Sequence, residues 1–244
     1  MESPPIEATT LVRDIVRLHP GAVRALDAFH VDWSCGAGDT LAAACESVGA
    51  ALPDVLMALA REPDGRQTDL VAPPGDERLH ETIAHILSRH HALSRAEGPA
   101  LRALADDVLR MHGRAYPALA GLAELVHGLF DELTAHMERE ERVLFPYIEA
   151  LERARESGTS IVAPFGSVGA PIRMMQQDHE AVALLLRDIE RTTDDFVPPE
   201  DASESWRELY DRLRAHDADL RRHVWLENEV LFPRAIALEQ STGR

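Results

Sequence analysis

Two short segments of the chain repeat the same histidine, glutamate and helix-ending residues. HMEREERVLFP begins at His136 and HVWLENEVLFP begins at His223, and in each a glutamate (Glu140 or Glu227) follows the histidine by four residues. That spacing places both side chains on one face of a helix. An isolated pair of this kind is typical of a surface salt bridge. Because the pair recurs before the same Val-Leu-Phe-Pro sequence, we interpret it as part of a metal site.

Each pair also has a histidine upstream at nearly the same separation, His91 before the first pair and His179 before the second. If each histidine faces its pair across an antiparallel helix hairpin, the turn must fall midway between them. The midpoints are Gly113 in the first hairpin and the sequence VPPEDAS in the second. The midpoint between the two halves falls in the Gly- and Pro-containing sequence ESGTSIVAPFGSVGAP. The sequence therefore predicts turns at the positions that would bring these histidines and glutamates to the same height in the helices.

Four helices arranged in this way bring six side chains to one level of a bundle core: His91, His136, Glu140, His179, His223 and Glu227. Buried carboxylates need cationic partners, which a metal-free network would lack. Imidazole and carboxylate without thiolate suit iron, manganese or zinc. Six protein ligands leave open positions on two octahedral metals, whereas a closed structural zinc site would more often recruit cysteine. We therefore predict a redox-capable di-iron centre with two bridging glutamates.

Several neighbouring residues are weaker candidates for this centre. Spacing alone does not exclude His90 as a ligand. His112 precedes a helix-ending glycine and suits either a C-terminal cap or a hydrogen-bond donor to a ligand. Glu141 is rotated off the face that carries its neighbour Glu140, and His216 is interpreted as an ordinary core or surface residue.

The elements that position these residues are predicted to be helices, because helical periodicity runs through nearly the whole chain. The fold class is all-α. Residues 78–244 form an antiparallel four-helix bundle, and residues 1–62 form a small helical N-terminal domain in which Asp39 caps one helix. Residues 63–77 are rich in proline, glycine and charge and are predicted to form a linker.

Composition restricts the class of partner. The net charge of -17 over 244 residues argues against nucleic acid and anionic membranes, which both require a basic face. No apolar run approaches the roughly 18 residues that span a bilayer. The N-terminus lacks a basic segment followed by an apolar stretch, and two cysteines cannot form a disulfide framework. These features predict a soluble cytoplasmic protein.

Three segments carry a resemblance to a known family: ELTAHMEREERVLFPYI, PIRMMQQDHEAVALLL and DLRRHVWLENEVLFPRAI. They resemble the ligand-bearing segments of the di-iron proteins that repair iron–sulphur clusters (repair of iron centres, RIC), and the resemblance covers nearly the whole chain. It implies a hemerythrin-like bundle and selects His91 over His90 as the ligand of the first helix. It also implies that Glu140 and Glu227 bridge two iron ions, with an oxo or hydroxo bridge. Oxygen-carrying hemerythrins have an aspartate where this chain has Asn228, which favours the repair proteins.

The N-terminal residues resemble the ScdA-type domain that precedes the bundle in this family. Its turn usually reads D-Y-C-C-G-G, whereas this chain reads DWSCGAG, with Ser34 in place of the first cysteine. The change argues against any role that needs a vicinal cysteine pair. Cys35 and His112 are the candidate accessory residues, and Cys45 is interpreted as a small core residue.

Two functional hypotheses follow from the resemblance. In the first, the di-iron centre serves repair of iron–sulphur proteins damaged by nitric oxide or peroxide, as an iron store or as a site that reacts with NO or oxidants. A protein of this kind is not a conventional hydrolase or transferase. If it has an enzymatic activity, reduction of NO at the di-iron centre is the candidate. In the second, the protein binds NO or oxygen as a cytoplasmic scavenger or sensor. Identical ligands serve both, so the sequence does not separate them, and it leaves open whether the chain forms a homodimer.

Overall fold

The computed structural model describes residues 5–62 and 78–242, so the predicted linker at 63–77 lies outside the described residues. The described chain is built from helices joined by loops, with an isolated antiparallel bridge between Leu11 and Thr40. The predicted all-α class is confirmed. None of the described helices combines the length and the apolar character needed to cross a membrane.

The chain divides by its contacts into two compact units. Of the described residues, the first contains 5–62 together with 224–233, and the second contains 78–223 together with 234–242. The sequence assigned residues 224–233 to the bundle, whereas the contacts group them with the N-terminal helices.

The N-terminal residues form four short helices: α1 (Val12–Leu18), α2 (Ala22–Ala28), α3 (Leu41–Val48) and α4 (Leu52–Leu59). The cap of α3 differs from the prediction. Thr40, not Asp39, accepts a hydrogen bond through its side chain from the N–H of Ala43 at 3.3 Å. The carbonyl of Asp39 instead accepts from the N–H of Val12 at 3.0 Å, which fixes the start of α1. Asp39 is therefore used as a backbone anchor rather than as a cap.

Apolar side chains from all four short helices form one buried cluster, which includes Ile15, Leu26 and Trp33. Trp225 and Leu226, from residues 224–233, belong to the same cluster and are almost fully buried. This burial, which the hydrophobic effect favours, explains why residues 224–233 group with the N-terminal helices.

From Leu79 onward the chain forms long helices, several of which contain a π-helical segment. In order they are α5 (Leu79–His85), π1 (Ile86–His91), α6 (Ala92–His112), α7 (Ala118–Arg139), π2 (Glu140–Leu144), α8 (Phe145–Ser157), α9 (Gly169–Thr192), α10 (Glu204–Trp225), π3 (Leu226–Leu231) and α11 (Phe232–Thr242). The three loops between α6 and α7, α8 and α9, and α9 and α10 fall where the sequence placed the turns.

Side-chain pairs between α6 and α7 show that these helices are antiparallel. Arg102 of α6 donates to Asp131 of α7 at 2.7 Å. Four residues further along α6, Asp106 pairs with His127 at 3.0 Å, and His127 lies four residues earlier on α7. Residue numbers therefore increase along α6 as they decrease along α7, which is the antiparallel arrangement that the sequence predicts.

The apolar core of the bundle lies between α6, α7, α9 and α10 and includes Leu101, Val126, Leu129, Val182, Ile189 and Leu213. Helices α6 and α7 approach closely at Gly98, where a Cβ atom would lie 2.9 Å from Cδ1 of Phe130. His216 is buried in this core with its ring 5.0 Å from that of Phe130. Burial lowers the pKa of His216 to about 4, so this histidine is neutral at physiological pH.

Candidate metal centre

The structure brings the six predicted ligands together in two groups. The first group is His91, Glu140, His223 and Glu227, and the second is His136, Glu140, His179 and Glu227. Within each group every residue offers one ligand atom, and these atoms lie within 4.8 Å of one another. Because both glutamates belong to both groups, the arrangement is that of two adjacent ion sites sharing two carboxylates.

Burial and donor chemistry both fit a pair of metal ions. The four histidines are at most 2% exposed, and Glu140 and Glu227 are 0% exposed. Two carboxylates held this far from water are costly unless cations compensate their charge. Imidazole nitrogen and carboxylate oxygen are the donors that non-haem iron accepts, and carboxylate-and-histidine layers in helical bundles hold such di-metal sites.

The histidine nitrogens of the two groups converge on Glu140. Its Oε2 atom lies 3.3 Å from Nε2 of His91 and 3.3 Å from Nε2 of His136. Nε2 of His136 is also 3.2 Å from Nε2 of His179. In His91 and His136 the nitrogen that faces Glu140 is therefore Nε2, which leaves Nδ1 for other contacts.

The three π-helical segments coincide with ligand positions. π1 ends at His91, π2 begins at Glu140, and π3 contains Glu227. A π-helical turn holds one more residue than an α-helical turn, so it rotates the residues that follow it relative to the α-helical phase; such turns are frequent at functional sites. The sequence predicts regular α-helices at these positions, because nothing in the composition of the three segments indicates a π-helical turn.

The first carboxylate outside the two groups is Glu141, which holds His91. Oε1 of Glu141 lies 2.7 Å from Nδ1 of His91, and Arg95 donates to the same oxygen at 2.7 Å. Burial acts to raise the pKa of Glu141, but hydrogen bonds from His91 and Arg95 outweigh it, so the pKa lies below its usual range. The ionised carboxylate accepts the Nδ1–H of His91 and leaves a lone pair on Nε2. The sequence placed Glu141 off the ligand face and did not detect this contact.

Asp178 does the same for His136 on the other side of the centre. Its Oδ2 lies 3.4 Å from Nδ1 of His136 and accepts from Arg139 at 2.7 Å. Burial favours a higher pKa for Asp178, but the bonds from His136 and Arg139 prevail and lower it. Asp178 immediately precedes His179, so one short segment of α9 contains both a predicted ligand and the partner of another predicted ligand.

His90, which spacing had left open as a ligand, belongs to neither group, whereas His91 belongs to the first. Its Nδ1 lies 2.9 Å from Oδ2 of Asp219, and both residues are buried. Its ring is nearly parallel to that of His223, with an interplanar angle of 4° and centroids 5.3 Å apart. Burial acts to raise the pKa of Asp219. The hydrogen bond from His90 and the nearby charge of Arg89 outweigh this effect, so the pKa of Asp219 lies below its usual range.

The two accessory candidates lie in neither ligand group of the described residues. Nε2 of His112 is 2.9 Å from Oγ of Ser203, and its ring packs 5.1 Å from that of Trp206. Cys35 is half-buried, and its backbone N–H donates to Oδ1 of Asp32 at 3.0 Å. Both therefore have local contacts that explain their positions. Cys45 is buried as predicted, which raises the pKa of its thiol.

Replacing the carboxylates that hold the histidines should weaken metal binding without abolishing it. We expect Glu141→Ala and Asp178→Ala each to lower metal affinity by about 10- to 100-fold, the usual effect of losing a partner of a ligating histidine. Competition with a chelator of known affinity measures the change. Glu138→Ala is the matched control, since Glu138 is an exposed carboxylate at the end of α7, three residues before Glu141. Unchanged affinity in both variants would contradict a supporting role.

Comparisons with known proteins agree with this geometry. Residues 82–235 match the family model described as the hemerythrin HHE cation binding domain. The chain is 33% identical over 220 residues to the iron–sulphur cluster repair protein YtfE of Yersinia pseudotuberculosis serotype IB (strain PB1/+), covering 89% of this chain and 92% of the relative. The protein of the same name from Yersinia pestis (strain Pestoides F) matches with the same identity and coverage.

Proposed function

This chain belongs to the family of iron–sulphur cluster repair proteins that carry a hemerythrin HHE cation binding domain, and from that membership we propose that it repairs iron–sulphur clusters damaged by nitrosative or oxidative stress. The observation that carries the proposal is the pair of ligand groups that share Glu140 and Glu227. Its partners would be damaged iron–sulphur proteins of the cytoplasm, with NO or oxygen as small ligands.

In this proposal each residue of the two groups has a defined role. His91 and His223 would hold one iron, His136 and His179 the other, and the two glutamates would bridge them. Each ion would then have four protein donors, which leaves positions open on an octahedral ion. When bound, the two irons supply redox chemistry toward NO or oxidants and ferrous ions for transfer.

The protein's own residues favour binding that is specific but reversible. The four imidazoles bind as neutral ligands, so the two carboxylates are the anionic donors within the groups. Imidazole and carboxylate hold ferrous iron less firmly than thiolate, and protons compete with the metal for both. Glu141 and Asp178 keep Nδ1 of their histidines occupied, which directs Nε2 to the metal. This donor set suits a centre that must give up iron as well as hold it.

The test is repair of a damaged enzyme. The reduced, iron-loaded protein is mixed with an NO-damaged iron–sulphur enzyme and a source of sulphide, and enzyme activity is followed. We expect activity to return with wild type and not with His136→Ala, which removes a ligand. His127→Ala is the matched control, because His127 lies on the same helix and contacts Asp106 instead of the centre.

Two outcomes would contradict the proposal in different ways. If wild type restores nothing yet binds NO stoichiometrically at the reduced centre, scavenging or sensing replaces repair. If His136→Ala repairs as well as wild type, the metal centre is not required for repair. Recovery by wild type would also show that a chain with Ser34 beside Cys35 repairs clusters without a vicinal cysteine pair.

A further inference from the structure

A line of histidine rings leads from the surface of the bundle to the candidate centre. His85 is exposed, and its ring centroid lies 5.5 Å from that of His90 in an edge-to-face arrangement. His90 is 4% exposed and stacks on His223 at 5.3 Å. His223 in turn lies 5.0 Å from His91, centroid to centroid, and both belong to one ligand group. The line thus connects solvent with two of the proposed ligands.

A buried carboxylate accompanies the middle of this line. Oδ2 of Asp219 accepts a hydrogen bond at 2.9 Å from Nδ1 of His90, and Asp219 lies one helical turn before His223 on α10. Because Nδ1–H of His90 donates this bond, its Nε2 keeps a lone pair. His90 is therefore placed to offer Nε2 as a ligand while Asp219 holds the opposite nitrogen of its ring, as Glu141 does for His91.

We propose that His85, His90 and Asp219 form the route by which ferrous iron moves between the centre and solvent. The inference rests on the proposed repair function, which requires iron to be delivered. A ferrous ion leaves the centre beside His223, binds Nε2 of His90, and passes to His85, where water completes its coordination. The carboxylate of Asp219 accepts from Nδ1–H of His90 throughout and offsets the positive charge of the ion. The ion stays ferrous throughout, so the step needs no oxidant or reductant. The proton shared by His90 and Asp219 stays in place.

Two other carboxylates near the centre fit such a route less well. Glu141 and Asp178 are both part-buried, but an arginine donates to each at 2.7 Å. Arg89 lies further from Asp219, with 3.9 Å between the nearest nitrogen and Oδ1, and its side chain is 54% exposed. An exposed guanidinium at this distance competes less with a passing cation than one that is bound closely, although its charge still opposes the cation.

The experiment measures iron release rather than repair. Protein loaded with ferrous iron is mixed without oxygen with excess of a coloured diimine chelator, and the rate of colour formation is recorded. We expect His85→Ala and His90→Phe to slow release by about tenfold, with the same iron content at the start. Arg89→Ala should speed release, because it removes the positive charge that competes for Asp219.

Matched variants separate the route from general effects on the bundle. His127→Ala alters another solvent-accessible histidine of the bundle and should release iron at the wild-type rate. Asp219→Asn keeps the shape and a hydrogen-bond acceptor for His90, so it should slow release even if His90→Phe folds poorly.

The route is overturned if His85→Ala and Asp219→Asn release iron as wild type does. It is also overturned if both lose iron faster, since these residues would then only stabilise His223. Failure of the repair proposal is distinguishable, because the chelator reports iron transfer without a client enzyme. If these variants release iron slowly and wild type repairs no enzyme, the proposed route is supported and the proposed repair function is rejected.

Discussion

Glu140→Ala and Glu227→Ala are each expected to lose both irons, whereas the wild-type protein should carry two irons per chain. The reason is that each carboxylate belongs to both ligand groups, so its removal takes a donor from both ions at once. Both side chains are fully buried, so water does not readily replace the missing oxygen. Metal analysis of the purified proteins measures the loss directly.

The comparison with a ligand of one group makes this test specific. His179 belongs to a single group, so His179→Ala should weaken one ion more than the other. Glu138→Ala changes an exposed carboxylate on the same helix as His136 and should retain both irons. If Glu140→Ala keeps one ion at full occupancy, the shared-carboxylate arrangement is wrong. If wild type carries one tightly bound zinc, the assignment to iron is wrong.

The layer of ligands could be predicted from sequence because antiparallel helices convert sequence separation into position. A residue and its partner on the next helix are equidistant from the turn between them. The midpoints therefore located the turn at Gly113 and the two loops that follow, and the structure places its loops there. The pairing of His136 with Glu140 followed from the α-helical period, and their atoms lie 3.3 Å apart.

The surroundings of the ligands could not be predicted in this way, because they depend on departures from the regular helix. Glu140 and Glu141 are consecutive, yet they approach opposite nitrogens of the same ring, Nε2 and Nδ1 of His91. Both glutamates lie in the π-helical segment that starts at Glu140, a departure from the regular helix that the α-helical period does not predict. Nothing in the composition of this segment indicates a π-helical turn.

Helical periodicity also does not predict contacts between residues that are distant in sequence. The pairing of His90 with Asp219 joins positions in the first and last long helices, and neither residue belongs to a repeated motif. The packing of Trp225 and Leu226 with the N-terminal helices is another example. In both cases the sequence shows that a residue is polar or apolar but not which partner it meets.

Removal of iron should lower the stability of the folded protein markedly. A ligand present at about 1,000 times its dissociation constant adds about 4 kcal/mol to the free energy of unfolding. Without the ions, Glu140 and Glu227 are two fully buried carboxylates close together, and their charges lose the cations that offset them. The iron-free protein should therefore unfold at a clearly lower temperature than the loaded protein, as measured by circular dichroism or calorimetry.

The double variant Glu140→Gln/Glu227→Gln separates the two contributions, because it keeps the shape of both side chains and removes their charge. Its melting temperature should not respond to added ferrous iron, since the bridging carboxylates are gone. It should nevertheless lie above that of iron-free wild type, because the repulsion between the buried carboxylates is relieved. Stability and metal binding would then respond in opposite directions to the same substitutions, as expected where binding requires an otherwise unfavourable site. If iron-free wild type melts with the loaded protein, or above the double variant, the buried carboxylates are not held together by metal.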